Sequence, residues 1–251
     1  MMNFQIHIYD ELTSTNDEAK RLARAGAPEG AVVRAFFQTE GRGRLGRAWS
    51  GENGTSLMFS VVLRPALATA DAAIWTLAAG LGVCRALSQI MGEDVRVKWP
   101  NDVVIDGRKL CGILSEQSIE GDRVQSVVTG IGINVNQECF DVEIREKAVS
   151  MRMIANRVFS ADEVLAAVLA ELDAVYAVFV RDGFGALAAE YNALCINTGA
   201  AVRIENACDV AEGIARGVDA AGWLVVDVAD GECMRVSSGE VSVRLANGRY
   251  A

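Results

Sequence analysis

The hydrophobic residues of this chain of 251 residues follow two periodic patterns. Apolar residues in short runs or at alternating positions predict strands at 4–9, 31–38, 56–63, 95–99, 103–105, 109–117 and 124–136. Apolar residues three and four positions apart predict helices at 13–25, 70–91, 161–181 and 184–194. In the first helix, Thr15 and Glu18 have the spacing of a capping box. Because the strands are grouped between helices without strict alternation, the predicted fold class is α+β.

The pattern changes after Cys195. Helical periodicity disappears, and short strands separated by glycine-rich turns are predicted at 201–205, 209–219, 222–230, 232–238 and 240–246. A segment of this kind is typical of a small β-barrel. The sequence therefore predicts two domains, 1–197 and 198–251.

Composition and charge exclude several classes of protein. With 51% hydrophobic residues and three prolines, the chain has the composition of a well-packed globular protein. No run reaches the roughly 18 uninterrupted apolar residues of a membrane span. The start, MMNFQIHIYDEL, lacks the basic and apolar regions of a signal peptide, so we expect a cytoplasmic protein with no membrane partner. A net charge of −9 opposes binding to a nucleic acid backbone, and no nucleic acid partner is expected.

Cysteine and histidine are poorly placed for metal or nucleophilic chemistry. The six cysteines include no C-x-x-C pair, and His7 is the only histidine. This disfavours a structural zinc site, a Cys–His nucleophile and any Ser–His–Asp triad that does not use His7. We expect buried, reduced thiols, a strand histidine without a chemical role, and no metal site formed by the protein alone.

The stretch 41–49, GRGRLGRAW, fits the G-x-G-x-x-G expression of a dinucleotide-binding turn, yet it contains three arginines. A dinucleotide-binding fingerprint needs a helix directly after the turn and an acidic residue about 20 positions further on. A second glycine-rich stretch follows here instead, and Arg64 stands near that distance. Arg42, Arg44 and Arg47 in an acidic chain indicate a loop for a small anionic ligand. A basic turn without a ligand is the alternative.

Two further segments carry polar residues at turns. Residues 98–102, KWPND, follow a strand, and residues 108–112, RKLCG, begin another strand after a turn. Pairing of these strands would bring Lys109 near Asp102, where an ammonium group could hold a carboxylate beside a nucleotide phosphate. An exposed lysine after a hairpin turn is the alternative. The glycines of 130–134, GIGIN, fit either space for a ligand or a bulge in a buried strand.

Taken in order, these segments resemble the biotin protein ligases. The resemblance covers residues 4–244 and rests on STN at 14–16, Gln38, GRGRLGRAW, KWPNDV, GRKLCGILSE, GIGINVN and GEVSVR. GRGRLGR and KWPND are highly specific as a pair, whereas either alone would be weak. The resemblance implies a catalytic domain with a mixed sheet and packed helices over 1–197, and an SH3-like β-barrel over 198–251.

The resemblance also implies a reaction. Biotin and ATP with Mg²⁺ would form biotinyl-5′-AMP and pyrophosphate. A lysine of a biotin carboxyl carrier protein, the carrier domain of a biotin-dependent carboxylase, would then attack the adenylate to form an amide. Homodimers are common in the family, so a homodimer is a further expectation.

Matching the family residue by residue gives the expected site. The biotin contacts fall on Ser14, Thr15, Asn16, Gln38, Arg42, Gly43, Arg44, Lys109 and Gly112. The ATP and adenylate contacts fall on Arg42, Arg44, Trp49, Lys98, Asn101 and Lys109. The catalytic residues implied are Arg44, Lys109 and Asp102, with Asp102 a candidate for promoting attack by the acceptor lysine. Trp49 would lie against the adenine, or it only anchors the loop, and the loop 41–54 is expected to be mobile until a ligand binds.

Departures from the family pattern are mild, and two alternatives stay open. Leu45 stands where a second basic residue is frequent, Glu40 where a small residue is common, and Ser237 and Ser238 where a glycine is frequent. No DNA-binding module precedes the first strand, so the repressor activity of some members is not expected. One alternative is a lipoate or octanoate protein ligase, whose loop is generally of the R-R-x-[ST]-G-G-G type. The other is a non-catalytic biotin-adenylate sensor, against which the intact cationic residues argue.

Overall fold

The structure is a computed structural model that describes residues 1–49, 51, 53–121, 123–205, 210–228, 231–237, 242–245 and 250. Several predictions fall in part on residues outside the described ones, among them Cys208, Ser238, residues 239–241 of the terminal motif, residues 50 and 52 of the loop 41–54, and the ends of strands predicted at 209–219, 222–230 and 240–246.

A seven-stranded mixed sheet forms the larger part of the fold. Its strands are β1 (Gln5–Leu12), β2 (Ala31–Gln38), β3 (Ser56–Leu63), β4 (Arg96–Lys98), β5 (Asp102–Ile105), β6 (Arg108–Glu120) and β7 (Arg123–Asn134). They lie in the order β1-β2-β3-β7-β6-β5-β4. Only the outer pair β1 and β2 is parallel, and the other neighbours are antiparallel. All eight residues of β3 are buried, because helices or the site cover both of its faces.

Helices pack on both faces of this sheet. They are α1 (Thr15–Arg24), α2 (Thr69–Met91), α3 (Met151–Ala155), α4 (Ala161–Asp182) and α5 (Gly185–Leu194). Leu57, Phe59 and Val61 of β3 belong to the same core cluster as residues of α2 and α4. On the opposite face, Ala19 of α1 packs with Val62 of β3 in a smaller cluster. The face that carries α1 is covered only in part, which leaves room for a cavity beside the helix.

Helix α2 is long and apolar enough to cross a membrane by length and composition, with a mean hydropathy of 1.3 over 18 residues. In this fold 67% of that window is buried. The helix contacts the sheet and α4, as expected for the core helix of a layered α+β protein.

The predicted capping box at Thr15 and Glu18 is wrong. Helix α1 begins after Ser14, whose side chain makes no cap hydrogen bond. Glu18 instead accepts a hydrogen bond from Tyr9 Oη at 2.8 Å. Thr15 N donates to Gln38 Oε1 at 2.7 Å, so a side chain from β2 takes over the capping role.

A second, antiparallel sheet follows α5. Its strands β8 (Ala201–Glu205), β9 (Val210–Val218), β10 (Leu224–Val228), β11 (Cys233–Val236) and β12 (Ser242–Leu245) lie in the order β11-β10-β9-β8-β12. Together the two sheets and the packed helices confirm the predicted α+β fold with a small C-terminal β-domain.

Trp99 joins the two sheets. Its backbone N donates to Asn197 Oδ1 at 2.9 Å, and its Nε1 donates to Gly222 O at 3.2 Å in the turn between β9 and β10. Ile196 N donates to Val97 O at 3.0 Å beside it. The Trp99 side chain is fully buried, so the C-terminal sheet and its turn at Gly222 close the core behind the residues KWPND.

The cysteines match the prediction in part. Cys84, Cys111 and Cys195 are buried free thiols, and burial raises the pKa of each, that of Cys84 to about 12. Cys139 and Cys233 are exposed, contrary to the expectation of buried thiols. His7 lies on the edge strand β1, as predicted for a strand histidine.

Candidate active site

The residues that the resemblance singled out line one cavity of about 390 Å³. They are Ser14, Thr15, Asn16, Gln38, Arg42, Gly43, Arg44, Trp49, Lys98, Asn101, Asp102, Lys109 and Gly112. The cavity lies between the first turn of α1, the loop 41–49 and strands β5 to β7. The structure thus brings these residues together, and their roles toward a ligand stay predictions.

One end of the cavity is neutral and polar. Ser14, Thr15 and Asn16 are buried in the first turn of α1, where backbone N–H groups have no carbonyl partner within the helix. Gln38 holds this turn from the side, because its Oε1 accepts from Thr15 N while its Nε2 contacts Met58 Sδ at 3.3 Å. With backbone N–H donors and side-chain oxygens side by side, this end suits a part of a ligand that carries both hydrogen-bond donors and acceptors.

Asn16 is engaged within the fold. Its Nδ2 donates to Leu114 O at 3.2 Å and to Glu116 Oε2 at 2.7 Å. Its Oδ1 accepts from Ser60 Oγ at 2.6 Å. Both amide hydrogens therefore have protein partners, which leaves the side chain only a lone pair of Oδ1 to offer a ligand.

The other end of the cavity carries positive charge around one carboxylate. Lys109 Nζ lies 2.6 Å from Asp102 Oδ1, which confirms the predicted approach of these two residues through the β5–β6 pairing. The alternative of an exposed lysine is wrong, because only 27% of the Lys109 side chain is exposed and its ammonium group is paired with Asp102. Burial opposes ionisation of Asp102, but the attraction of Lys109 and Lys98 outweighs it, so the pKa of Asp102 lies below its ordinary value. Asp102 is accordingly a carboxylate that accepts hydrogen bonds.

Tyr250 completes this charged end, and sequence reasoning missed it. Its Oη donates to Asp102 Oδ2, and Lys98 Nζ lies 4.4 Å from the centre of its ring. The hydrogen bond spans 148 positions of the chain, and no motif pointed to it.

Phe140, Ile144 and Ala148 also line the cavity and were missed. Their regular spacing of four residues was the signal that could have indicated one common face.

The loop 41–49 folds over the cavity in a defined conformation. Trp49 N donates to Gly41 O at 2.8 Å, and Leu45 adopts a left-handed backbone with φ of 56°. Arg42 pairs with Asp17 of α1. Arg44 Nη1 donates to Asn101 Oδ1 at 3.1 Å. Burial lowers the pKa of Arg44, and the attraction of Asp102 offsets this only in part. The guanidinium group nevertheless stays charged at neutral pH.

Glycines of the sheet make room for two of these side chains. A Cβ atom at Gly130 would lie 2.1 Å from Asn16 Oδ1, and one at Gly132 would lie 2.4 Å from Trp49 Cε2. A Cβ atom at Gly112 would lie 2.9 Å from Trp49 Cζ3. The pairing of β7 with β3 and β6 is regular around Gly130 and Gly132, so the alternative of a bulge is wrong.

The indole of Trp49 packs over Gly112 and Gly132 of the sheet. Lys109 Nζ is 5.5 Å from the centre of its ring. Among the residues that the structure describes, none offers a hydrogen-bond acceptor to its buried Nε1. The indole is thus a wall of the cavity as well as an anchor for the end of the loop.

Comparison with known proteins is consistent with this geometry. Residues 9–134 match the model of the Biotin/lipoate A/B protein ligase family, and residues 199–244 match the Biotin protein ligase C terminal domain. The chain is 33% identical over 233 residues to the bifunctional ligase/repressor BirA of Bacillus subtilis, covering 92% of this chain and 72% of that protein. It is 34% identical over 244 residues to the biotin–[acetyl-CoA-carboxylase] ligase of Mycobacterium tuberculosis, covering 94% and 88%.

A solved structure shares the whole architecture. The biotin protein ligase from Aquifex aeolicus in complex with biotin and ATP matches with a TM-score of 0.83 and 29% sequence identity. The match covers 96% of this chain and 99% of that one.

Proposed function

The chain belongs to the biotin protein ligases within the Biotin/lipoate A/B protein ligase family, and on that premise we propose that it is an ATP-dependent biotin protein ligase. It activates biotin as biotinyl-5′-AMP with release of pyrophosphate. It then transfers biotin to a lysine of a biotin carboxyl carrier protein, the carrier domain of a biotin-dependent carboxylase.

The two unlike ends of the cavity carry this proposal. A neutral polar end at Thr15 and Gln38 suits a ring with N–H and C=O groups, while Lys109, Lys98 and Arg44 at the other end suit a carboxylate and a phosphate. Biotin has a ureido ring at one end and a carboxylate at the other. The cavity therefore fits biotin with its carboxylate toward the cations.

In the first step, a biotin carboxylate oxygen attacks the α-phosphorus of ATP. A new P–O bond forms, and the bond from that phosphorus to the oxygen bridging to the β-phosphate breaks, so pyrophosphate leaves. Negative charge builds up on the α-phosphate, where we place Lys109 and Arg44 as the stabilising groups. Trp49 would cover the adenine, and Asn101 would hold Arg44 in place through its Oδ1.

In the second step, the neutral amine of the acceptor lysine attacks the acyl carbon. The C–N bond forms, the C–O bond to AMP breaks with the electron pair leaving on the AMP phosphate, and the proton lost by the amine passes to solvent water. Because the pKa of Asp102 is lowered, its carboxylate is a weak base. We therefore assign Asp102 to the positioning of Lys109 and to the stabilisation of the positive charge that develops on the attacking nitrogen, ahead of proton abstraction.

Mg²⁺ is part of the proposal through the nucleotide. Among the described residues, His, Cys, Asp and Glu form no group of three or more that could hold a metal ion. Phosphate oxygens of ATP are therefore the main ligands that we expect, and Mg²⁺ would neutralise their charge.

Location and assembly complete the proposal. We expect a cytoplasmic enzyme that forms a homodimer and, because of its net charge of −9, has no nucleic acid partner. The exposed edge strand β1 is available for pairing between two copies. The division into domains at 197 and 198 fits the end of α5 at Leu194 and the start of β8 at Ala201.

Pyrophosphate release with MgATP tests the function directly, with biotin, lipoate and octanoate compared for the unaltered protein and for Arg44→Ala. We expect release with biotin alone, and slower release with escape of free adenylate for Arg44→Ala. Arg24→Ala, an exposed arginine in the last turn of α1, is the matched control and should behave as the unaltered protein. Release with lipoate or octanoate alone would identify the lipoate branch of the family. Biotin binding without release would indicate a sensor.

A further inference from the structure

We propose that Ser60, Asn16 and Glu116 form a hydrogen-bond relay that fixes the hydroxyl of Thr15 as an acceptor toward the cavity. They are positioning residues, because they act on the ligand through Thr15. The inference rests on the proposed function, since the group that Thr15 would then recognise is an N–H of the ureido ring of biotin.

The relay begins at an ion pair between the sheet and the helix. Glu116 of β6 pairs with Lys20 of α1, and its Oε2 accepts a hydrogen bond from Asn16 Nδ2 at 2.7 Å. Leu114 O accepts from the same nitrogen at 3.2 Å. A carboxylate and a carbonyl can only accept, so they determine which end of the Asn16 amide is nitrogen. Asn16 Oδ1 must then face Ser60.

Ser60 connects the oriented Asn16 amide to the Thr15 hydroxyl. It is fully buried in the interior strand β3, with its Oγ 2.6 Å from Asn16 Oδ1 and 2.8 Å from Thr15 Oγ1. A serine hydroxyl has one hydrogen, and an amide oxygen has none to give. The hydrogen of Ser60 therefore goes to Asn16, and the contact with Thr15 requires the Thr15 hydroxyl to donate to Ser60.

The Thr15 hydroxyl has consequently used its one hydrogen. Toward the cavity it offers lone pairs only, and a ligand must present an N–H or O–H donor there. Without Ser60 the Thr15 hydroxyl could rotate and donate instead. The preference of this end of the cavity for a ligand donor therefore depends on the relay residues behind Thr15. The same chain of contacts explains why a serine lies among the apolar residues of β3.

A double-mutant cycle with Ser60→Ala and Thr15→Val measures the coupling between these two residues. The quantity measured in each variant is the Kd for biotin, determined by calorimetry without ATP. Ser60→Ala should weaken biotin by about 10-fold, the worth of one well-oriented buried hydrogen bond. Thr15→Val should weaken it at least as much. The double variant should bind no more weakly than Thr15→Val alone, because a relay has nothing to orient once the hydroxyl is gone. The KM for ATP should stay unchanged throughout.

Two further variants serve as a control and as a second test of the relay. Ser126→Ala removes a buried serine of β7 that does not line the cavity, and the Kd for biotin should not change. Glu116→Gln, at a side chain that is 30% exposed, should fold even if Ser60→Ala does not. It should weaken biotin by a smaller factor than Ser60→Ala, since a glutamine can still accept from Asn16 but loses the pairing with Lys20.

The outcomes separate the relay from the function. Losses that add up in the double variant would mean that Ser60 acts by packing, and the relay would be overturned. An unchanged Kd in Ser60→Ala, or in Glu116→Gln if the first does not fold, would overturn it as well. Failure of the unaltered protein to bind biotin would instead overturn the proposed function.

Discussion

Gly132→Ala tests whether Trp49 forms the nucleotide side of the cavity. The new Cβ atom would lie 2.4 Å from Trp49 Cε2 and 2.7 Å from its Nε1. Carbon atoms in contact are about 3.5–4.0 Å apart, so one partner must move by about 1 Å or more. Strand β7 is held on both sides by β3 and β6, whereas Trp49 lies at the end of a surface loop. We therefore expect the indole to move.

The expected effect falls on ATP. If the indole stacks on the adenine, its displacement costs about 1–3 kcal/mol of binding, or about 5- to 150-fold in the KM for ATP. Pyrophosphate release at saturating biotin measures this, while the Kd for biotin should stay unchanged and the free energy of unfolding within about 1 kcal/mol.

A matched glycine separates this effect from a general one. A Cβ atom at Gly80 of α2 would lie 3.8 Å from Ile113 Cδ1, an ordinary contact, so Gly80→Ala should leave the KM for ATP unchanged. A Gly132→Ala protein with an unchanged KM for ATP would refute the role given to Trp49. A large loss of unfolding free energy would refute the argument that the indole moves and the strand does not.

Three further changes test other contacts. Gly130→Ala would place a Cβ atom 2.1 Å from Asn16 Oδ1, so calorimetry should show a Kd for biotin raised by about 10-fold, with the KM for ATP unchanged. Asp102→Asn should lower the free energy of unfolding by about 2–3 kcal/mol at pH 7, at the low end for buried pairs because Lys109 is partly exposed. Since the pKa of Asp102 is lowered by folding, its contribution is complete above the ordinary value of 3.8 and is lost as the pH falls through the lower folded value. Urea unfolding should show this difference shrinking in acid, and a constant difference would contradict an ionised Asp102. Ser160→Ala removes the N-cap of α4 and should cost about 1 kcal/mol in urea unfolding without changing biotin transfer, whereas no cost would contradict the cap.

Much of the fold could be predicted because long elements carry their own pattern. The apolar runs of β2, β3 and β8 are bounded by turn residues, and the observed strands begin and end where predicted. Strand β1 extends to Leu12, three residues beyond its prediction, because pairing with β2 continues through the backbone after the apolar pattern has ended. Helix α3 has five residues, too few for a helical period to show.

The site divides in the same way between local and long-range information. A motif identified the loop 41–49. The approach of Lys109 to Asp102 was predictable because a tight turn joins the two strands that carry these residues. The capping box at Thr15 failed because its hydroxyl is drawn to Ser60, which is 45 positions away. The contact of Tyr250 with Asp102 joins two residues 148 positions apart, and no local motif indicates a contact over that distance.

The buried side chain of Trp99 ties the C-terminal sheet to the segment that carries the reacting groups. The backbone N–H of Trp99 donates to Asn197 Oδ1 and its indole N–H donates to Gly222 O, and both bonds hold the segment that continues directly into Asn101. Gly222 itself has no space for a side chain, since a Cβ atom there would lie 2.8 Å from Ile74 of α2. A C-terminal domain exchanged with that of a relative would therefore have to supply both a glycine at this turn and a backbone carbonyl that faces the Trp99 indole. Chimeras that lack them should keep two folded halves and lose the alignment of the catalytic residues between them.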